Sequence, residues 1–471
     1  MIYLNKNTKQ PLYLQIYNQI KTDILLHVLK EGTILTGSRT LAQTLHISRN
    51  TVDTAYSQLA TEGYIIAQKG VGYIITALPK LSITTSAQPF LVIKKPLPAT
   101  YKAQDIKYDL TNGSHTNDLF PKTLWRRTTI KCLDILDQQA RLSSHLDKQG
   151  EIYLRENLLA YLRRIRGVKC QPEQIIITCG LQQSLDIICK LLHDKRPSVL
   201  MEEPGYHKAA AVFKNNNLKI KTIPIDKYGI NVNKFPQDIS SCLIYSTPSH
   251  QFPTGITMPI HRRLELLTWA KTNTSYILED DFDSELRYYA KQIPSLQSID
   301  ENNNVIYLGT FSKGLSPSLR MGYIILPPQL LEIYMDKFQN YNSTVPILNQ
   351  YVVAYLLENG EYDRHIRRLN SIFRKRLELF NKEFSIFNDK IKIIGNNSGQ
   401  YFLLEFAADV QQSELIIAAK KQSVQVYPTM QFWQDRADCP DNTLFLGFSK
   451  ISLKDIPDCV HRLKKAWSKF L

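Results

Sequence analysis

From residue 174 to residue 308 the chain alternates between short apolar runs suited to buried strands and stretches of helical period, an order that few architectures accept. Strand-like runs are predicted at 174–179, 198–201, 219–225, 243–247, 276–278 and 304–308, with helices at 181–192, 207–214 and 260–271. Alternation of this kind argues for an α/β fold with a mostly parallel sheet. In such sheets a ligand sits beyond the carboxyl ends of the strands, so the residues that follow each run are the ones to inspect.

Cys179-Gly180-Leu181-Gln182 enters a helix, where a glycine and free backbone amides make either an anion site or a simple turn. Tyr206 closes Glu202-Glu203-Pro204-Gly205-Tyr206, and its ring either stacks on a flat ligand or belongs to the core. His250, in the proline-stiffened loop 247–255, is a ligand contact or a satisfied loop histidine. Glu279-Asp280-Asp281-Phe282-Asp283-Ser284-Glu285 puts five carboxylates within seven residues, which is costly unless one faces a buried cation such as a protonated pyridine nitrogen. A solvated or metal-binding acidic turn is the alternative; no histidine lies near enough to favour a metal. Gly309-Thr310-Phe311-Ser312-Lys313 follows the last run, with Arg320 seven positions beyond the lysine. Lys313 is either a solvated loop lysine or the amine of a Schiff base with a phosphate-bearing aldehyde cofactor, whose phosphate Thr310, Ser312 and Arg320 could hold.

The first eighty residues have a different pattern. Leu12, Ile16, Ile20 and Ile24 have helical spacing after Pro11, and this helix should end near Val28. A short helix capped by Ser38 follows, then a tight turn and a helix opening Ser48-Arg49-Asn50-Thr51, with Val52, Ala55 and Leu59 on one face. Two helices so joined describe a helix-turn-helix. In its second helix Arg49 can bond guanine edges, Asn50 can pair with adenine, and Ser48 and Thr51 can donate to phosphate. Two β-rich runs at 64–67 and 73–76 then flank Gln68-Lys69-Gly70-Val71-Gly72, a wing that would carry Lys69 to a phosphate strand.

A chain of 471 residues is too long for one core, and three segments are expected: a DNA-binding domain over 1–78, a linker over 79–105 and a large domain over 106–471. Pro79, Pro89, Pro96 and Pro98 mark the linker as an extended tether. The net charge of +15 is distributed as +4, +3 and +8 over 1–80, 81–107 and 108–471, so charge alone does not decide for DNA. Seven scattered cysteines with no C-x-x-C pair suit buried thiols in a reducing compartment and give no zinc site. The first residues lack the regions of a signal peptide and no apolar run has membrane-spanning length, so a cytoplasmic protein with no membrane contact is expected.

Leu35-Thr36-Gly37-Ser38-Arg39, Ile47-Ser48-Arg49-Asn50-Thr51-Val52, Ala55-Tyr56, Leu59, Glu62-Gly63 and the glycine wing resemble the GntR-type winged helix-turn-helix, although the family's proline after the leucine is Thr36 here. Arg163-Arg164-Ile165-Arg166-Gly167-Val168, residues 172–178, Thr247 to Gly255, Glu279-Asp280-Asp281 and Gly309 to Lys313 resemble, in the same order, fold-type I aminotransferases that use pyridoxal phosphate. Together the two halves are similar to the MocR-type regulators, which fuse those modules. The resemblance implies double-stranded DNA as partner, contacted through Ser38, Arg39, Thr40, Ser48, Arg49, Asn50, Thr51, Tyr56, Lys69 and Gly70. It further implies pyridoxal 5′-phosphate as cofactor: Lys313 as the catalytic lysine carrying the internal aldimine, Asp280 on the pyridine nitrogen, Tyr206 on the ring, and Gly180, Leu181, Gln182, Thr310, Ser312 and Arg320 on the phosphate. A homodimer is implied as well.

Two positions depart from that pattern. Phe282 stands where the family has a tyrosine able to bond the cofactor's 3-hydroxyl, and Phe252 where aminotransferases have asparagine. No arginine for a substrate carboxylate stands in 443–449, which leaves Arg436 and Lys450 as the candidates. The expected function is a transcription regulator sensing pyridoxal phosphate or a small amine or amino acid at Lys313. The alternatives are a working aminotransferase with a DNA-binding appendage and a regulator with a cofactor-free pocket.

Overall fold

The computed structural model describes residues 2–5, 8, 10–78, 106–112, 119–142, 147–195, 198–239, 241–289, 293–388 and 390–471; the expected linker, 79–105, lies outside them. The chain divides into a smaller unit, Met1–Ala99, and a larger one, Thr100–Leu471.

In the smaller unit α1 (Leu12–Leu25), α2 (Ser38–Leu45) and α3 (Arg49–Thr61) precede an antiparallel hairpin of β1 (Ile65–Gln68) and β2 (Gly72–Ile75). Ile16, Ile20 and Ile24 of α1 meet Val52, Ala55, Tyr56 and Leu59 of α3 in one buried core, which Ile65 and Ile75 close from the hairpin. That core is the i, i+3/i+4 stripe of each helix turned inward. α2 begins one residue earlier than expected: Gly37 occupies its cap, no side chain bonds that end, and Ser38 is the first helical residue. Ser48 does cap α3, accepting from the Thr51 amide at 3.3 Å. Gly70 and Gly72, at φ +82° and +119°, make the tight wing turn that a side chain would strain.

The larger unit opens with β3 (Tyr108–Asp109). Its main sheet contains β4 (Ile175–Thr178), β5 (Val199–Glu203), β6 (Ile220–Asp226), β7 (Gly229–Ile230), β8 (Leu243–Ser246), β9 (Tyr276–Asp280), β10 (Val305–Thr310) and β11 (Gly322–Ile325), in spatial order β4-β11-β10-β9-β8-β5-β6-β7. From β10 through β6 the strands are parallel; β11 is antiparallel to both its neighbours, and β7 folds back on β6. Both faces are covered. Along β5 and β8, Val199, Met201, Leu243 and Tyr245 enter one buried cluster while Leu200 and Ile244 enter another, the period-2 sidedness of strands buried on both faces.

Beyond the long helix Glu361–Phe384, a smaller antiparallel sheet holds β12 (Lys392–Ile394) and β13 (Tyr401–Glu405). β14 (Val424–Gln425) leaves it to pair with β3, while β15 (Tyr427–Pro428) and β16 (Thr443–Gly447) complete it in the order β12-β13-β16-β15.

The turn from β10 to β11 is packed to contact. Gly309 faces Tyr323 across the pair, and a Cβ there would lie 2.2 Å from the ring's Cζ, with Tyr323 itself buried. Gly309→Ala should therefore destabilise the large unit by about 1–3 kcal/mol, the usual scale of overpacking, read as a melting point several degrees lower by calorimetry. Replacing Tyr323 with leucine in the same chain should recover part of the loss.

Candidate functional site

Strand ends and loops converge on a cavity of about 410 Å³, lined by Leu181, Gln182, Tyr206, Asp280, Thr310, Ser312, Lys313 and Arg320 among others. A second cavity of about 470 Å³, between Phe120–Leu124 and the start of the helix Glu361–Phe384, receives no strand end of the main sheet.

One side of the first cavity is an anion seat. Gly180, at φ +96°, caps the helix Leu181–Leu191, whose first amides and positive end face outward. Arg320 donates to the Cys179 carbonyl at 3.0 Å, and a Cβ on Gly180 would come within 2.9 Å of its guanidinium, so only glycine lets the arginine lie there. Thr310 Oγ1 accepts from the Ser312 amide at 3.1 Å and lies 2.9 Å from Ser312 Oγ, which fixes the two hydroxyls at the end of β10. Gly180 itself lies beneath Arg320, outside the lining.

Lys313 stands at the centre. Its Nζ donates to Asn112 Oδ1 at 3.2 Å and Gln400 Oε1 at 3.4 Å, both uncharged acceptors. Burial pushes the amine down to about 8; Lys208 adds to that shift, and Asp283 and Asp280 oppose it. A lowered amine is a better nucleophile near neutrality.

Opposite, Asp280 ends β9. Burial is the main cause that raises it to about 7, Asp281, Asp283 and Glu202 add to the shift, and the hydroxyl of Tyr245, which donates to it from β8, holds it back. The other four carboxylates of the acidic run are engaged elsewhere. Arg166 forms a fully buried pair with Asp281 at 2.8 Å and also donates to Ser249 Oγ. Glu279 accepts the Leu296 and Gln297 amides at 2.7 and 2.8 Å. Asp283 lies 2.8 Å from His250 Nδ1, and Glu285 accepts from Tyr161 at 2.7 Å and Tyr362 at 2.9 Å. The expected buried cation therefore exists within the chain, as Arg166, but it neutralises Asp281; Asp280 alone of the five lines the cavity.

Tyr206 lines the cavity beside Asp280 and meets Phe252 edge-to-face at 5.4 Å, its hydroxyl raised to about 12 chiefly by burial. His250 is a buried loop histidine whose Nδ1 lies 2.8 Å from Asp283 while its Nε2 is buried without a protein partner, and it does not line the cavity. Nor do Arg436, which is exposed, or Lys450, which pairs with Asp109 at 3.6 Å. Asn112, Gln400 and Tyr245 were not expected. Tyr245 lay within a predicted strand, but only the strand order sets its hydroxyl beside Asp280.

On the smaller unit Arg39, Thr40, Arg49, Asn50, Lys69 and Gly70 are exposed and Ser38 half-exposed. Arg49 pairs loosely with Asp53 at 3.3 Å and keeps most of its side chain in solvent, and Ser48 Oγ lies 2.8 Å from Thr51 Oγ1. Tyr56 is a correction. It is 1% exposed, packs on Tyr73 at 5.2 Å and donates to the Thr36 carbonyl at 2.8 Å. It braces the turn before α2 and presents nothing to DNA.

The shape of Lys313, Asp280 and the anion seat fits a phosphorylated pyridine aldehyde: an amine, a buried carboxylate for a ring nitrogen, and a cradle for an anion. Comparison with known proteins agrees. Residues 109–435 match the family model of class I and II aminotransferases, and residues 12–75 that of bacterial regulatory proteins of the gntR family. The chain is 36% identical to the uncharacterized HTH-type transcriptional regulator YdeL of Bacillus subtilis, covering 99% of this chain and 98% of that one. It is 30% identical to the probable rhizopine catabolism regulatory protein MocR of Rhizobium meliloti, covering 99% and 96%. Among solved structures it resembles kynurenine aminotransferase of Pyrococcus horikoshii, crystallised with PMP, at a TM-score of 0.69 and 26% identity over 78% of this chain and 92% of that one.

Burial holds Asp280 near 7 in the folded chain, against about 4 for an ordinary aspartate. Between those values the folded state keeps a proton that the unfolded state has lost, so stability falls as pH rises through the window. Asp280→Asn cannot ionise. In cofactor-free protein its melting point should exceed the parent's at about pH 8, and the margin should shrink toward about pH 4.

Proposed function

The chain belongs to the MocR-type regulators, a gntR-type reader joined to a class I and II aminotransferase domain, and from that premise we propose that it senses pyridoxal phosphate or a small amine at Lys313 and answers on DNA. It is a DNA-binding transcription regulator, and its large domain binds pyridoxal 5′-phosphate. When bound, the cofactor supplies an aldehyde that condenses with amines and a ring that draws electrons.

The observation that carries the reading is the pairing of a lowered lysine with the one carboxylate of the acidic run that faces the cavity, beside a ready anion seat. Asp280 would hold a proton on the ring nitrogen, Tyr206 would lie against the ring, and Leu181, Gln182, Thr310, Ser312 and Arg320 would take the phosphate, with Gly180 making room for the arginine. Phe252 and Phe282 offer no hydrogen bond to the ring's 3-oxygen, which favours holding a ligand over turning one over. Arg49, Asn50 and Lys69 would read and grip the duplex. The regulator would work in the cytoplasm, where its DNA is, as a homodimer, since paired modules read two-fold sites. Among the described residues no helix is long and apolar enough to cross a membrane.

Purified protein supplied with pyridoxal phosphate should show a near-ultraviolet or visible band, and borohydride should abolish it while fixing the cofactor to Lys313, as peptide mass will report. A band unchanged in Lys313→Ala, or a colourless parent, would refute the assignment. Arg49→Ala should weaken binding to the promoter fragment by about tenfold or more and flatten its salt dependence. Equal affinity of parent and variant across salt would remove α3 as the reader.

A further inference from the structure

The residues assigned to the cofactor account for part of the cavity; next to them, starting at Phe252, which packs on Tyr206 at 5.4 Å, the rest is a wall of rings. Phe252, Phe432, Phe445 and Tyr427 line it and belong to one apolar cluster with Tyr401. Phe432 meets Phe252 nearly edge-on at 4.9 Å and Phe445 at 5.0 Å between centroids, geometries in which the rings lock each other. Tyr427 is fixed twice: its backbone pairs with Phe445, and its hydroxyl donates to Asp109 at 2.6 Å. The wall is therefore preformed, built on β15, β16 and the turn Met430–Phe432.

Charge is scarce in the same space. Apart from Lys313 and Arg320, the charged side chain that lines the cavity on the positive side, among the described residues, is Lys208, which is exposed. His207 beside it is held below its ordinary range by burial and by Lys208, so near neutrality it brings no charge. Its Nδ1 is buried without a protein partner. A ligand with two acidic groups would find one cation and a sheet of apolar rings. A ligand with an aromatic body would displace water from that sheet, the larger gain.

We propose that the effector is a primary amine with an aromatic or comparably bulky apolar body and at most one carboxylate: the Phe252–Phe432–Phe445 wall takes the body and Lys208 the acid. The inference rests on Lys313 as the cofactor-bearing amine and adds the class of ligand.

The test uses the full-length, cofactor-loaded protein, titrated with 2-phenylethylamine, L-phenylalanine, 4-aminobutanoate and L-glutamate and followed by calorimetry and by visible absorbance. The two aromatic amines should bind about tenfold or more tightly than the other two, the scale expected for burying a phenyl ring. Phe432→Ala should erase that margin and leave methylamine binding unchanged, with Phe432→Leu as the substitute if the alanine variant does not fold. Lys208→Ala should weaken L-phenylalanine by a larger factor than 2-phenylethylamine. A coloured protein that prefers either acid, binds all four alike, or binds none of them overturns the ligand class and leaves the cofactor assignment standing. A protein that stays colourless with added pyridoxal phosphate overturns both.

Discussion

The pair of Arg166 and Asp281 is the interaction on which the large unit's site depends. Both side chains are withdrawn from water, and the guanidinium also reaches Ser249 and the Ile293 carbonyl while Asp281 accepts from Ser284 at 2.8 Å and from Tyr307. Breaking such a pair by removing one partner strands a buried charge, at about 3–5 kcal/mol. One contact set thus ties together the end of the helix Ile152–Arg166, the loop after β8, the loop after β9 and the strand β10. Because Arg166 pairs with Asp281 from behind, the repulsion that Asp281 adds at Asp280 is partly offset.

The same burial acts on the two central groups in opposite senses. It raises the carboxyl of Asp280 and lowers the amine of Lys313 until both titrate near neutrality, since each charged form has lost its water. Asn112 and Gln400 accept from Lys313, and the Tyr245 hydroxyl donates to Asp280. A ligand that brings a cationic nitrogen to Asp280 and a carbonyl to Lys313 meets two groups poised near neutrality.

Much of this was legible in the sequence, for reasons that can be named. Strand runs and their helices followed period 2 and period 3.6, and each expected strand of the main sheet lies within about two residues of the observed one. Tyr56 was legible too: with Val52, Ala55 and Leu59 it lies on the buried stripe of α3, and spacing alone contradicted its place on a DNA surface. What spacing could not supply was partnership across the chain. Arg166 and Asp281 are 115 residues apart and Lys313 and Asn112 are 201 apart, so no local pattern joins them. β11 carries an apolar run like its neighbours, but its antiparallel insertion between β4 and β10 is a property of strand order, and the aromatic wall joins Phe252 to Tyr427, Phe432 and Phe445 from a carboxyl-terminal region without a readable motif.

The anion seat and the aromatic wall are made of different material. Gly180, Gly309 and Gly322 abut so closely that a Cβ on Gly322 would lie 3.0 Å from the Gly309 carbonyl oxygen and 3.1 Å from the Gly180 Cα. The floor of the seat, on which Arg320 and the Thr310 and Ser312 hydroxyls are set, is thus shaped by main chain, and substitution there has little room. The wall is shaped by side chains on separate strands and a short turn, where one ring can be exchanged for another without disturbing that main chain. A lineage of such proteins can keep its cofactor fixed while its choice of signal drifts, because the two recognitions draw on different parts of the inheritance.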